Sequence, residues 1–307
     1  MGPAAFVLNP LHDPYNPALN SPLAAIDSPK GNLHREPPDR LDWKERMHFP
    51  VTFHLFGYAL PAHSVAEGTA FLVGIIWYVV NRFRGQSSPI GTEKNFWLIA
   101  FLFVGAIIGS RTMAWAQSPW QAAVLLRQHP LWMLIHGGQE IVGGLLGGWI
   151  GVELGKKLLN INHSTGDAMV FPVMCGMGIG RIGCFLTGLR DGTCGLPTHL
   201  PWGVNFGDGV PRQPVQLYDI LFLIIFGVVL ARLPKLSPPG ARFRLFIAGY
   251  GFYRLAIDFL KPRPITWFGL TAVQWLAFLL AVYCSYWLVS RRVLILRDAA
   301  PVPQAAV

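Results

Sequence analysis

Apolar residues run in seven long blocks along this chain, and charged residues cluster in the gaps. The blocks cover residues 51–80, 96–116, 131–154, 168–186, 215–230, 245–260 and 270–289. A membrane-spanning helix needs about 20 apolar residues, so most blocks predict one crossing each. The first is longer and contains His54, Pro61, His63 and Glu67. It predicts an interfacial or broken segment followed by a true span. Residues 1–50 are rich in Pro, Asn and Asp and predict an irregular extension. They lack a basic start followed by an apolar core, so no cleaved signal peptide is expected. The expected organisation is an extension over 1–50, a helical membrane domain over 51–292 and a short tail over 293–307. The fold class is all-α and polytopic.

Composition supports this reading. Charged residues make up 13% of the 307, against about 25% in a soluble protein. The formal charge is +9, but the basic residues fall mainly in short gaps between blocks. That distribution argues for control of topology and against nucleic-acid binding. With the N-terminus outside, the inner gaps hold Arg82, Arg84, Lys94, Lys156, Lys157, Arg232, Lys235, Arg242 and Arg244, and the tail holds Arg291, Arg292 and Arg297. The outer gaps hold Arg127, Arg190, Arg212, Lys261 and Arg263. The bias predicts about seven spans with a cytoplasmic C-terminus. The four cysteines have no C-x-x-C spacing, so no metal site or disulfide framework is expected, and no cofactor.

Charges inside the blocks suggest chemistry. Arg111, Arg181 and Arg254 lie on three different predicted spans. Counting 1.5 Å per residue puts them roughly 22, 20 and 15 Å from the inner face of a core about 30 Å thick. A charge at that depth is costly and needs an anion. Arginine suits planar oxyanions, phosphate above all. The other source of negative charge is internal, from Glu140, Glu153 or Asp258, and charge placement alone leaves the two even. Gly176, Gly178, Gly180 and Gly183 surround Arg181 and allow close approach of a helix or ligand. The G-x-G-x-x-G spelled by Gly178, Gly180 and Gly183 lies inside a predicted span, which excludes a dinucleotide site. Glycines at 143, 144, 147, 148 and 151 predict close helix packing.

Three segments carry a resemblance: G-I-G-R-I-G-C-F-L-T-G at 178–188, L-P-W-G-V-N-F at 200–206 and P-R-Q-P-V-Q-L-Y-D at 211–219. The helix G-Y-G-F-Y-R-L-A-I-D-F-L-K at 249–261, G-L-T-A-V-Q-W-L at 269–276 and G-S-R at 109–111 extend it. The chain resembles the prolipoprotein diacylglyceryl transferase family over roughly residues 53–290. The resemblance implies a seven-span enzyme in a bacterial inner membrane. Its partners would be phosphatidylglycerol, the prolipoprotein signal peptide and surrounding membrane lipids. The diacylglyceryl group passes to the thiol of a lipobox cysteine, and glycerol phosphate leaves. The thiol must ionise to attack, and the departing phosphate must be held.

Carried over, the resemblance implies Arg181, Arg254, Arg111 and Arg212 as phosphate ligands, with Gly180, Gly183, Cys184, Gln216 and Tyr218 lining the site. The family's usual histidine position holds Val142, its usual asparagine Cys184 and a usual tyrosine Phe56. Leu189, Arg190 and Asp191 stand where a glutamate is usual. Proton handling therefore falls to Glu140 or His136 as candidates. An altered member that binds anionic lipid, or that uses another acceptor, is the alternative.

Overall fold

The computed structural model describes residues 49–55, 57–83, 91–128, 138–262 and 266–296. The chain divides into two units, 1–47 and 48–307, and everything described lies in the second. The extension expected over 1–50 therefore falls almost wholly outside the described residues, as do His136 and Phe56.

The helices are α1 (Ala62–Phe83), α2 (Thr92–Gln117), α3 (Pro119–Gln128), α4 (Ile141–Leu158), α5 (Gly166–Thr187), α6 (Val215–Arg232), α7 (Ala241–Ile257) and α8 (Ala272–Ser290). All but α3 match the expected blocks. Five are long and apolar enough to cross a membrane: α1, α2, α5, α6 and α8. Among the rest, α4 carries Glu153, Lys156 and Lys157, and α7 carries Arg242, Arg244 and Arg254. The protein is thus a mostly helical, multi-pass membrane protein.

Three two-stranded antiparallel ribbons, which the apolar pattern does not predict, join the helices. The first block opens as the hairpin β1 (Thr52–Leu55) and β2 (Tyr58–Pro61), so it is broken as expected, and α1 begins only at Ala62. Between α5 and α6, β3 (Val204–Asn205) pairs with β4 (Pro211–Arg212). Beyond α8, β6 (Leu294–Leu296) pairs with β5 (Lys235–Ser237), so the start of the tail is tied back to the loop before α7.

Consecutive long helices alternate in direction, as terminal contacts show. At one end, Lys94 Nζ on α2 donates to the Leu159 carbonyl beyond α4 at 3.0 Å. Asp167 at the start of α5 accepts from the backbone N–H of Gly240 and Phe243, filling the orphan donors at the start of α7. At the other end, Gln274 Nε2 on α8 donates to the Leu255 carbonyl of α7 at 3.1 Å. Thr271 and Gln274 form a capping box that starts α8.

The glycine-laced block packs as its composition predicts. An added Cβ on Gly147 would lie 2.1 Å from the Gly105 carbonyl oxygen, and one on Gly109 2.3 Å from that of Gly143. Backbones of α2 and α4 thus touch directly, which only glycine permits. The main core lies between α5, α6, α7 and α8, around the fully buried Val170, Leu230, Phe246 and Val273. Ile107 and Ile108 on α2, Ile224 and Ile225 on α6 and Leu279 on α8 are exposed apolar side chains, suited to lipid contact.

Candidate active site

Alternation brings the N-terminal ends of α1, α4, α6 and α8 together with the C-terminal ends of α2, α5 and α7. The buried charges collect at this end. Arg181 sits near the end of α5 and is 4% exposed. Its Nε lies 2.7 Å from Asp219 Oδ2, on the first turns of α6. Tyr253 of α7 donates its hydroxyl to the other oxygen of Asp219 at 2.9 Å. The Tyr253 ring stacks on Phe222 at 3.9 Å between centroids, which fixes where that hydroxyl points.

Arg254 follows Tyr253 and is equally buried. Its Nη2 donates to Glu140 Oε1 at 2.8 Å, and its Nη1 lies 3.4 Å from Asp258 Oδ1. Its Nε and Nη1 are buried without a hydrogen-bond partner among the described residues, as is the Tyr250 hydroxyl. Lys261 Nζ reaches Asp258 at 3.2 Å. Burial, then the charges of Arg254 and Arg181, hold the Lys261 ammonium down to about 8.

Glu140 precedes α4 in extended conformation. Its backbone N–H donates to Ser110 Oγ at 3.0 Å, and Gln117 Nε2 reaches its second carboxylate oxygen at 3.5 Å. Arg111, beside Ser110, donates from Nη1 to the Gly138 carbonyl at 2.8 Å. The structure thus joins Arg181, Arg254 and Glu140 in one cluster and gives Arg111 a backbone partner close by. Both deep arginines already hold carboxylates, the internal arrangement that charge placement left open. Glu140 and Asp258 were foreseeable partners. Asp219 was missed: it lies within the Q-L-Y-D motif, but nothing in the sequence marks it as facing Arg181.

Arg212 is taken up locally. Its Nε and Nη2 donate to Asp208 Oδ2 at 2.8 and 2.7 Å within the β3–β4 hairpin. Tyr218 donates to Gln213 Oε1 at 2.8 Å and accepts from Trp202 Nε1 at 2.6 Å, so it braces the loop above α6. Gln216 is fully buried and donates to Thr193 Oγ1 at 3.2 Å, with Cys194 Sγ at 3.6 Å. Burial pushes the Cys194 thiol up to about 11, so it stays protonated at neutral pH.

The glycines around Arg181 divide in two. Gly183 receives α1, and an added Cβ there would lie 2.6 Å from Ala66 Cβ and 3.3 Å from His63 Cα. Gly178 and Gly180 face open space, with nothing within 4 Å of an added Cβ. Cys184 is buried between the side chains of Arg181 and Asp191. Gly188 ends α5 at φ +66° and turns the chain into a 3₁₀ helix, Gly188–Asp191, that carries Asp191 back over the site.

A buried cluster of cations and carboxylates beside an open, glycine-lined face can hold an oxyanion whose apolar part stays in lipid. Comparisons with known proteins identify the family. The profile of the prolipoprotein diacylglyceryl transferase family matches residues 50–290. A phosphatidylglycerol–prolipoprotein diacylglyceryl transferase of Cupriavidus necator is 31% identical over 256 residues, covering 74% of this chain and 87% of that protein. Proteins of the same name from Geobacter sulfurreducens and Idiomarina loihiensis are each 30% identical, covering 67% and 74% of this chain and 80% and 87% of their own length. With the match running through α1 to α8 and including both deep arginines, the chain belongs to the prolipoprotein diacylglyceryl transferase family.

Proposed function

We propose that Arg181 and Arg254 hold the phosphate of phosphatidylglycerol while its diacylglyceryl group moves to the thiol of a lipobox cysteine. The transfer itself is the reaction for which the relatives are named. The observation that carries the assignment of residues is the buried Arg254, whose Nε and Nη1 have no hydrogen-bond partner among the described residues. Buried guanidinium donors are nearly always satisfied, and a phosphate would satisfy them.

Charge balance suggests how the headgroup binds. Arg181, Arg254 and Lys261 face Asp219, Asp258 and Glu140. A phosphate must therefore replace a carboxylate. Asp219 is held from two sides within helices, whereas Glu140 sits on extended backbone at the site's edge. Glu140 is the exchangeable counterion: the phosphate takes its place on Arg254. Arg111 and Arg212, though held by the Gly138 carbonyl and by Asp208, add positive charge that attracts the headgroup in this reading. Acyl chains lie against the open face at Gly178 and Gly180. In the reaction the thiolate forms a C–S bond to the glycerol carbon while that carbon's bond to phosphate oxygen breaks. The electron pair leaves with glycerol phosphate, stabilised by the guanidinium groups.

The membrane arrangement follows from the same reading. Seven crossings, with α4 and α7 included, place the N-terminus outside and residues 293–307 in the cytoplasm of a bacterial inner membrane. The basic end that holds Lys94, Lys156 and Arg242 then faces inward. The site faces the outer leaflet, where a prolipoprotein signal peptide presents its cysteine.

The test is transfer in reconstituted vesicles containing phosphatidylglycerol and a lipobox peptide. Arg181→Ala and Arg254→Ala should each lower turnover by at least about 10²-fold, as loss of a charge-stabilising donor does. Undiminished turnover in either variant overturns the assignment of that arginine.

A further inference from the structure

We infer that His63, oriented by Asp191, is the base that takes the proton from the acceptor thiol; this rests on the transferase reading above. The thiol must lose a proton, and the groups around Arg254 are poorly placed to accept it. Before the phosphate displaces it, Glu140 has Oε1 on Arg254 and Oε2 facing Gln117, so it can take a thiol's proton only if it leaves that contact. Val142 is 2% exposed in the apolar core and cannot titrate. The described structure offers a different histidine at the same end of the bundle.

His63 lies in the first turn of α1, directly against Gly183 of α5. Its Nδ1 is buried and faces Asp191 Oδ1 at 3.6 Å, while the side chain as a whole remains 38% exposed. The exposure therefore belongs to the rest of the ring, which includes Nε2. A histidine base held by a carboxylate has its Nδ1 turned inward in this way, which leaves Nε2 as the nitrogen that accepts. At 3.6 Å the pair is longer than a hydrogen bond, as catalytic pairs commonly are before substrate arrives.

Asp191 is itself positioned. Thr193 donates its hydroxyl to Asp191 Oδ2, which leaves Oδ1 for the histidine. Gln216, fully buried at the start of α6, donates to Thr193 Oγ1. A directed chain thus runs Gln216, Thr193, Asp191, His63, and links α6 and the loop after α5 to α1. Cys184 completes the surroundings: its Sγ lies within 4.8 Å of a ring nitrogen of His63 and a carboxylate oxygen of Asp191, and Arg181 is among its charged neighbours. The charged and titratable groups facing His63 are therefore Asp191 and Cys184, with Arg181 behind them and Glu67 one turn on along α1. Cys184 is thus a neighbour of both His63 and Arg181.

In the step proposed, His63 Nε2 takes the proton of the acceptor thiol. The thiolate attacks the glycerol carbon, and the phosphate leaves with the bonding pair. The proton then passes from His63 to water. Asp191 is a positioning residue and keeps Nδ1 protonated so that Nε2 can accept.

The experiment uses the full chain in phosphatidylglycerol vesicles, with two lipobox peptides, one bearing cysteine and one bearing selenocysteine. A selenol ionises without help at neutral pH. His63→Ala should lower kcat/KM for the cysteine peptide by at least about 10²-fold. The acidic limb of the pH profile should vanish, and phosphatidylglycerol binding should be unchanged. The selenocysteine peptide should recover most of the lost rate. Asp191→Asn should lower kcat without changing KM for the lipid, and should be rescued in the same way. Wild-type transfer with an undiminished His63→Ala variant overturns this inference alone. So does equal loss with both peptides, which would mark a structural role, and so does loss of wild-type activity to a chelator, which would mark a metal at these three side chains. Wild type that transfers to neither peptide overturns the transferase reading and this inference with it.

Discussion

Tyr253 donates its hydroxyl to Asp219 on the carboxylate oxygen that Arg181 does not hold. The carboxylate is thus engaged on both sides by two other helices, and both of its oxygens are committed. A buried ion pair of this kind contributes little net stability when intact, but losing one member strands the other. Asp219→Ala should therefore destabilise the protein by about 3–5 kcal/mol. Tyr253→Phe should cost only about 1 kcal/mol. Thermal unfolding in detergent separates the two, and equal midpoints for the variants would contradict the bridging role of Asp219.

Removing the proposed counterion gives a prediction of opposite sign. Glu140→Gln takes away the charge that competes with phosphate for Arg254. Phosphatidylglycerol should bind about tenfold more tightly to this variant, equivalent to roughly 1.4 kcal/mol. Arg254→Lys should weaken binding, because one ammonium cannot serve the directions that the guanidinium fork spans. Lipid-titration calorimetry or fluorescence in mixed micelles would read both.

The seam between α2 and α4 leaves no room for a methyl group. Gly147→Ala places a Cβ 2.1 Å from the Gly105 carbonyl, so the two backbones must part. The expected loss is about 1–3 kcal/mol, as for other overpacked contacts. Gly180→Ala, whose Cβ meets nothing within 4 Å, should leave the unfolding midpoint unchanged.

Lys261 gives a pH dependence with a definite sign. Its folded value, about 8, lies below the 10.5 of the free side chain. Between those values the unfolded chain binds more protons, so this group's contribution to stability rises with pH from about 8 to about 10.5. Below that window the buried ammonium is a full penalty. Lys261→Met should raise the unfolding midpoint at pH 7, and the gap to wild type should narrow by pH 10. A gap that stays constant across that range would exclude titration of Lys261 as its cause.

Much of this architecture is written in the apolar blocks. Spanning helices announce themselves because lipid demands an unbroken apolar run. The glycine seam was equally legible, since glycine at that density has few other uses in a membrane helix. The arginines could be ranked as functional because buried charge is costly. Their partners could not be read in the same way. Arg181 and Asp219 are separated by a loop containing a hairpin, and Arg254 and Glu140 by 114 positions. Periodicity carries no record of which helix faces meet. The three ribbons were missed because each is only two to four residues per strand, too short for an alternating pattern. His63 was visible only as a polar residue in a broken segment, because Asp191 reaches it by way of the turn at Gly188.

The order of the partners along the chain bears on how the protein enters the bilayer. Arg181 and Asp219 sit on successive helices, so α5 and α6 can leave the translocon as a hairpin whose opposite charges cancel. Arg254 has no such neighbour arriving beside it; its Asp258 follows within the same segment, and Glu140 has been waiting since α4. The contact between Arg254 and Glu140 must therefore wait until α7 has been made, and the bundle closes around that late meeting.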